Sequence, residues 1–280
     1  MPEGPEVECV KRSLKQVIGK KIRKIKLTEL SQKYQKYQNK QSFFDKLNGC
    51  RLKEIERIGK FLIFKFDREE VVLNHLGMSG NWILLKNKSQ ALPSHSKVLI
   101  EFDIFPNIVF DDMRNFGQFK IYHNYEMVLQ HKPIQKMGID GLLAVFPLNE
   151  FLAKIGKNNY SNREIGSVLL DQKLVAGIGN IYKSESLALA KINPTRLVRT
   201  LTLEERKKLG NSISKILHKA VESMGSTFNS FRNPDGNEGS GQIWHKVYGK
   251  QDEKCKECGN EITRIVQNKR STFYCHKCQI

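Results

Sequence analysis

The residues best suited to chemistry stand near the two ends of the sequence. Met1-Pro2-Glu3-Gly4-Pro5-Glu6 opens it. Removal of Met1, usual before a small second residue, would leave Pro2 as a terminal secondary amine. An α-amino group titrates near pH ~8, so a usable fraction is neutral near pH 7. Such an amine can attack a sugar carbon and form an iminium, or Schiff base. Glu3 offers a carboxyl to give or take the protons this step moves, and Glu6 follows at helical spacing. Alone, the same residues read as a frayed acidic tip, because chain ends are commonly unstructured. At the other end, Cys255-x2-Cys258 and Cys275-x2-Cys278 are separated by sixteen residues. Two such pairs are the spacing of tetrahedral zinc on a β-hairpin. Four thiolates leave no open coordination position, so one structural Zn2+ is expected, fixing a hairpin that carries Lys269, Arg270, Ser271 and Thr272 near its tip. No Walker lysine motif and no carboxylate cluster for Mg2+ is present, so no further cofactor is implied.

These groups need elements to hold them. Val7, Val10, Leu14 and Val17 form a helical stripe ending at Gly19, which would anchor Pro2 and Glu3. Short β-type runs follow at 21–28, 51–58, 61–67, 71–76, 82–85, 98–102, 108–110 and 118–121, the pattern of an antiparallel sandwich or barrel reaching to about residue 130. After His131-Lys132-Pro133 the character changes. Helices are predicted over 148–155, 165–170, 181–190 and 203–223, the last with Thr202 as N-cap and Glu204 and Glu205 in its first turn. Ala176-Gly177-Ile178-Gly179-Asn180 is a glycine-rich turn at a helix start, where backbone N–H groups suit a phosphate or serve only as a tight connection. Residues 229–242, with Pro234, Gly236, Gly239 and Gly241, read as a mobile loop.

Composition narrows the partners. Lys and Arg number 47 against 29 Asp and Glu, a formal net charge of +18. Such an excess favours a polyanion, nucleic acid before an anionic membrane, because phosphate contacts release counterions. No apolar run is long enough to span a bilayer and the start lacks the apolar stretch of a signal peptide, so a cytoplasmic protein is expected. Cys9 and Cys50 stand apart from the C-terminal four, which fits a metal site in a reducing compartment rather than a disulfide framework.

Several motifs, in order, then agree. They are Pro2-Glu3-x-Pro5-Glu6, Arg57-Ile58-Gly59-Lys60, His75-Leu76-Gly77-Met78-Ser79-Gly80, Asp112-Met113-Arg114-Asn115-Phe116-Gly117, Leu170-Asp171-Gln172-Lys173 continuing to Gly177-Ile178-Gly179-Asn180, and the cysteine pairs. End to end the chain resembles the formamidopyrimidine-DNA glycosylase (Fpg/Nei) family of base-excision repair enzymes. The resemblance implies an α+β, two-domain fold. Its parts would be an N-terminal catalytic β-sandwich over 1–133, a linker at 134–147, a helix-two-turn-helix DNA-binding domain over 148–240 and a four-cysteine zinc finger over 241–280.

It also implies roles. Pro2 would attack C1′ of the damaged nucleotide and form the Schiff base, and Glu3 would be the acid that assists ring opening and base departure. Lys60 would be the proton donor for the first elimination and contact phosphate. Arg270 would contact the phosphate at the lesion and assist the second elimination. Asn180 would hold the same phosphate, with His95 and Arg163 as further backbone contacts. The nucleotide must be turned out of the stack, and Met78 would fill the gap while Arg114 and Phe116 face the widowed base and its neighbour. Without the resemblance Met78 and Phe116 would read as core and Lys60 as a surface lysine.

Four positions depart from the Fpg branch: Gly4, which is usual in the Nei branch; Asn115, in place of a second arginine; Gly166, in place of a lysine; and Asn229, where some members have another lysine. The implied function is a bifunctional glycosylase and abasic-site lyase acting as a bacterial-type, nucleoid-associated monomer on duplex DNA with oxidised purines or abasic sites. Alternatives are a Nei-like preference for oxidised pyrimidines and a non-catalytic damaged-DNA-binding protein.

Overall fold

The computed structural model describes residues 1–29, 41–227 and 231–280, so Asn229 and the start of the 229–242 loop lie outside the described residues. Contacts divide the chain into two units, Met1–Gln135 with Met224–Ser240, and Lys136–Ser223 with Gly241–Ile280. The domain bounds implied by the resemblance put 224–240 in the helix-two-turn-helix part, whereas by contacts this segment clusters with the N-terminal unit.

In the first unit, α1 (Gly4–Ser13) continues through a 3-10 turn, Leu14–Val17, to Gly19 at φ +85°. Val7, Val10, Leu14 and Val17 are all buried, as their spacing predicts. Then come β1 (Ile22–Leu27), α2 (Gln41–Asp45), β2 (Leu52–Ile58), β3 (Phe61–Phe66), β4 (Val71–His75), β5 (Asn81–Leu85), β6 (Ser96–Phe102), β7 (Asn107–Asp111), β8 (Gln118–Tyr122), α3 (Tyr125–Leu129) and α4 (Lys132–Gln135). The strands make two antiparallel sheets, ordered β1-β6-β7-β5 and β2-β3-β4-β8.

Trp82 of β5 joins the sheets. Its ring centroid lies 5.3 Å from Phe64 of β3, 5.2 Å from Phe110 of β7 and 5.9 Å from Phe119 of β8. Its indole N–H donates to Asn74 Oδ1 at 2.9 Å, and the Asn74 amide donates to the Gln118 carbonyl at 2.8 Å, so the polar edge is satisfied inside the core. β3 and β4 are buried along nearly their whole length instead of alternating, because α1 covers β3 and α3 covers β4.

The second unit begins with β9 (Ile139–Asp140), followed by α5 (Leu148–Ile155), α6 (Asn158–Ser161), α7 (Ile165–Val168), β10 (Val175–Ala176), α8 (Asn180–Ala190) and α9 (Leu203–Glu222). β9 and β10 pair in parallel. Helix α9 opens on a capping box: Thr202 Oγ1 accepts the Glu205 N–H at 3.2 Å and Glu205 Oε2 accepts the Thr202 N–H at 2.7 Å. Phe151, Tyr182, Leu209, Ile213 and Leu217 form the heart of its core. The C-terminal hairpin, β11 (Thr263–Gln267) and β12 (Arg270–Tyr274), lies against α8. Buried Glu185 of α8 holds the approach to it by accepting the N–H groups of Lys246, Val247 and Tyr248 at 2.8, 3.0 and 2.8 Å.

Candidate active site

The first six residues are buried apart from Met1. Glu3 is the N-cap of α1 and 2% exposed. Glu6 Oε2 accepts the Glu3 N–H at 2.8 Å, one arm of a capping box that holds the tip to the helix. Glu6 also has a long-range task, since its Oε1 accepts the Ser226 N–H at 2.8 Å. Gly225, at φ +80°, presses on the same carboxylate, and a Cβ there would sit 2.8 Å from Glu6 Oε1. One carboxylate therefore joins the acidic tip to the segment that returns at 224–240. That segment is secured further by Leu84 N–H to the Pro234 carbonyl at 2.9 Å and the Gln16 amide to Asp235 at 3.0 Å.

Lys60 occupies the two-residue turn between β2 and β3, beside Gly59 at φ +57°. It is buried rather than a solvated surface lysine. The turn is tied to α1 through Arg57, whose Nε donates to Glu8 Oε2 at 3.0 Å and whose Nη1 donates to the Gly59 carbonyl at 2.9 Å. Lys11 and Arg12 also hold the Glu8 carboxylate, and the cations keep its pKa below the usual range against the opposing effect of burial. Next to Lys60, the His75 ring lies 4.7 Å from that of Phe61 and its Nδ1 accepts the Gly77 N–H at 3.0 Å. Burial, and then the Lys60 charge, push His75 down to about 4, so the imidazole is neutral at pH 7.

Met78 and Phe116 are 38% and 44% exposed, which removes the core-packing reading for both. Their loops are braced into one piece. Ser79 Oγ donates to Asp112 Oδ1 at 2.6 Å and accepts the Arg114 N–H at 2.9 Å, while Asp112 Oδ2 accepts the Gly117 N–H at 2.7 Å. Gly77, at φ +68°, lies so near that a Cβ would be 2.4 Å from the Phe116 carbonyl carbon. The Arg114 guanidinium sits 5.3 Å from the Phe116 ring centroid. His95 joins this network through the backbone: its N–H donates to Asp111 Oδ1 at 3.0 Å and its carbonyl accepts the Asp112 N–H at 3.1 Å.

In the second unit, Asn180 is the first residue of α8 after Gly179. The glycine turn is shaped by Gln172, which accepts the Gly177 N–H at 3.0 Å and donates to the Ile178 carbonyl at 2.8 Å. The Asn180 amide donates to the Ser271 carbonyl at 2.6 Å, which brings it beside Arg270. Fully buried Lys183 donates to Asn180 Oδ1 at 2.8 Å and to Thr272 Oγ1 at 2.6 Å. Arg270 is exposed at the start of β12, after the turn Asn268-Lys269 with φ of +49° and +60°. Arg163 stands over the Tyr160 ring at 5.5 Å and 3.7 Å from Asp171 Oδ2. The Sγ atoms of Cys255, Cys258, Cys275 and Cys278 all lie within 4.8 Å of one another, with 3.4 Å between Cys258 and Cys275 and 3.9 Å between Cys255 and Cys278. Zn–S bonds of about 2.3 Å in a tetrahedron require S···S separations of about 3.8 Å, so the donors fit one structural zinc.

The tip, Lys60, His95, Met78, Arg114 and Phe116 thus belong to one unit, and Asn180, Arg163, Arg270 and the cysteines to the other. Sequence reasoning quoted Glu6, Arg57, Ser79 and Asp112 within motifs without giving them these tasks, and passed over Lys183 and Glu185. A buried lysine or glutamate carries no local signal; only the packed partners reveal it.

A β-sandwich with a buried acidic tip, a helical unit and a four-cysteine hairpin define a two-unit α+β zinc protein. Residues 1–119 match the Formamidopyrimidine-DNA glycosylase N-terminal domain, residues 137–232 its H2TH domain, and residues 252–280 the zinc finger found in FPG and IleRS. The chain is 38% identical over 280 residues to the formamidopyrimidine-DNA glycosylase of Wolbachia pipientis subsp. Culex pipiens, and 34% identical over 280 residues to that of Listeria monocytogenes, covering all of each relative. It superposes with a TM-score of 0.88, at 33% identity and 99% coverage of both chains, on a Lactococcus lactis FPG mutant in complex with Fapy-dG-containing DNA. With the Lactococcus lactis enzyme on oxidised-pyrimidine DNA the TM-score is 0.87, at the same identity and coverage. The chain belongs to the formamidopyrimidine-DNA glycosylase family.

Proposed function

We infer that this chain is a base-excision-repair DNA glycosylase with abasic-site lyase activity, removing 8-oxoguanine and formamidopyrimidines from duplex DNA. The observation that carries the reading is the buried, capped tip. Pro2 and Glu3 are held at the N-terminus of α1, and Lys60 is tied to the same helix through Arg57 and Glu8. A protein that only bound DNA would have no use for a chain end held in this way.

Once Met1 is removed, the Pro2 nitrogen is a secondary amine whose neutral form has a lone pair for attack. The amine adds to C1′ as the glycosidic bond breaks, and the base leaves with a proton. Glu3 protonates the ring oxygen as the sugar opens to the iminium. Loss of a C2′ proton then expels the 3′ phosphate, and a further proton loss expels the 5′ phosphate, leaving a one-nucleotide gap. Lys60 serves the first elimination and Arg270 the second, each beside a phosphate. Asn180, His95 and Arg163 hold the backbone, Met78 fills the vacated stack, and Arg114 and Phe116 meet the widowed base. The zinc fixes the hairpin that presents Arg270. The protein acts as a monomer on cytoplasmic, nucleoid DNA. No helix among the described residues is long and apolar enough to cross a membrane.

Borohydride trapping on two duplexes, one with 8-oxoguanine opposite cytosine and one with thymine glycol opposite adenine, tests the reading when the cross-link is mapped by mass. The expected result is a cross-link at Pro2, forming faster on the first duplex. Faster trapping on thymine glycol would move the preference to oxidised pyrimidines, which Gly4 and the Lactococcus complex with oxidised-pyrimidine DNA favour. No cross-link to either, with Met1 absent and duplex binding intact, would reduce the protein to a binder.

A further inference from the structure

We propose that Gln267 is a positioning residue for Arg270, acting through a clamp in which Gly166 exists to leave room for its side chain. The inference rests on the lyase reading above. Gln267 is the last residue of β11 and pairs across the hairpin turn with Arg270, the first of β12. Its neighbour Val266 is 69% exposed, yet Gln267 is only 4% exposed. Its amide nitrogen donates to Glu164 Oε2 at 2.7 Å and to the Pro194 carbonyl at 3.0 Å. The turn next to it is therefore fastened at two points to the body of the helical unit.

The oxygen of the same amide makes no hydrogen bond among the described residues and is closed off from solvent. It rests on Gly166, where a Cβ would come within 2.3 Å of it and within 3.0 Å of Pro194 Cβ and its carbonyl oxygen. No left-handed backbone requires glycine at 166; what the position needs is space. Gly166 N–H donates to the Pro194 carbonyl at 2.9 Å, so Gly166 and Gln267 share one acceptor. A long side chain at 166 and an inward Gln267 exclude each other, which accounts for the departure at 166. Glu164 also follows Arg163 in sequence, so the clamp links two of the proposed phosphate contacts. A two-residue turn by itself leaves its flanking arginine free to swing, and an error of about 1 Å in placing a catalytic group can cost on the order of a hundredfold in rate.

The test uses the full-length zinc-loaded protein on an abasic-site duplex, reading the ratio of second-elimination to first-elimination product beside the Schiff-base trapping rate and the zinc content. Gln267→Met keeps length and volume but removes both donors. It is expected to lower the product ratio about tenfold, with trapping within about twofold of the parent and one zinc per chain retained. Gly166→Ala, which pushes the amide out while sparing its chemistry, is expected to do the same to a smaller extent, and to add little in the Gln267→Met background, as coupled sites should. An unchanged ratio in both single variants overturns the proposal. So does a parallel loss of zinc, trapping and both products, which would mean mere structural support. If the parent itself stops at the first product, the lyase role of Arg270 fails and the proposal falls with it.

Discussion

At the scale of single residues, two short side chains do the fastening. Ser79 stands between the loops that carry Met78 and Arg114, giving its proton to fully buried Asp112 and taking the Arg114 N–H. Ser79→Ala takes one hydrogen-bond donor from the buried Asp112 carboxylate, so a loss of about 1–3 kcal/mol in urea unfolding is expected. Excision from a damaged duplex should fall more than affinity for undamaged DNA, because phosphate contacts are untouched. Equal losses in both would sever the link between this hydroxyl and the wedge. Glu6→Ala removes the acceptor for two buried backbone N–H groups, of Glu3 and Ser226, at a cost of roughly 2–5 kcal/mol. Trapping at Pro2 should slow well beyond what the stability loss predicts at temperatures where the fold is intact. Trapping at the parental rate would show that the tip does not depend on the 224–240 segment.

Among elements, the hairpin depends most on a single bond set. Cys275→Ser removes one of four zinc donors, and the ordering of β11 and β12 should be lost with the metal. The expected outcome is zinc-free protein with weakened duplex binding while the β-sandwich retains its near-ultraviolet signal from Trp82. Unchanged duplex affinity without zinc would remove the hairpin from the interface. The long helices were legible in the sequence because each repeats a pattern or carries an end signal, α1 through its valine stripe and α9 through Thr202 and its acidic first turn, and the strands were legible as apolar, β-branched and aromatic runs set between turns. The helices α2, α3, α4 and α6 span five residues or fewer, and the β9–β10 pair is two residues long on each side, too little for any period to register. The site divides in the same way. Pro2, Glu3, Lys60 and the cysteines stand in compact motifs, whereas Glu6 with Ser226 and Glu164 with Gln267 meet across 220 and 103 positions, a pairing that only folding creates.

For the molecule as a whole, acid is the sharpest probe. His75 in one unit and His245 in the other are both pushed down to about 4, first by burial and then by lysines: Lys60 for His75, Lys250 and Lys219 for His245. Both are neutral when folded and take a proton near pH 6.5 when unfolded, so their contribution is whole above about pH 6.5 and is lost as the pH falls towards 4. The urea midpoint should drop across that window, and His75→Gln should flatten the drop by about one proton per unfolding event. A midpoint that holds steady from pH 7 to 4.5 would contradict the buried, neutral pair. If Lys60, Arg163 and Arg270 contact phosphate as proposed, Z is about 3, and the salt dependence of duplex binding should show a logarithmic slope of about −2.7 or steeper. A slope near zero would deny the basic surface its role.

The return of residues 224–240 to the first unit also sets an order of assembly. Domains generally fold as they leave the ribosome, the N-terminal one first. Here the first-made residues cannot be finished first. Glu6 meets Ser226 only after helix α9 has been synthesised, and Leu84 waits for Pro234. The acidic tip is thus completed only after most of the helical unit has been made, and a nascent chain shorter than about 240 residues carries Pro2 and Glu3, the proposed catalytic pair, without the strap that holds them.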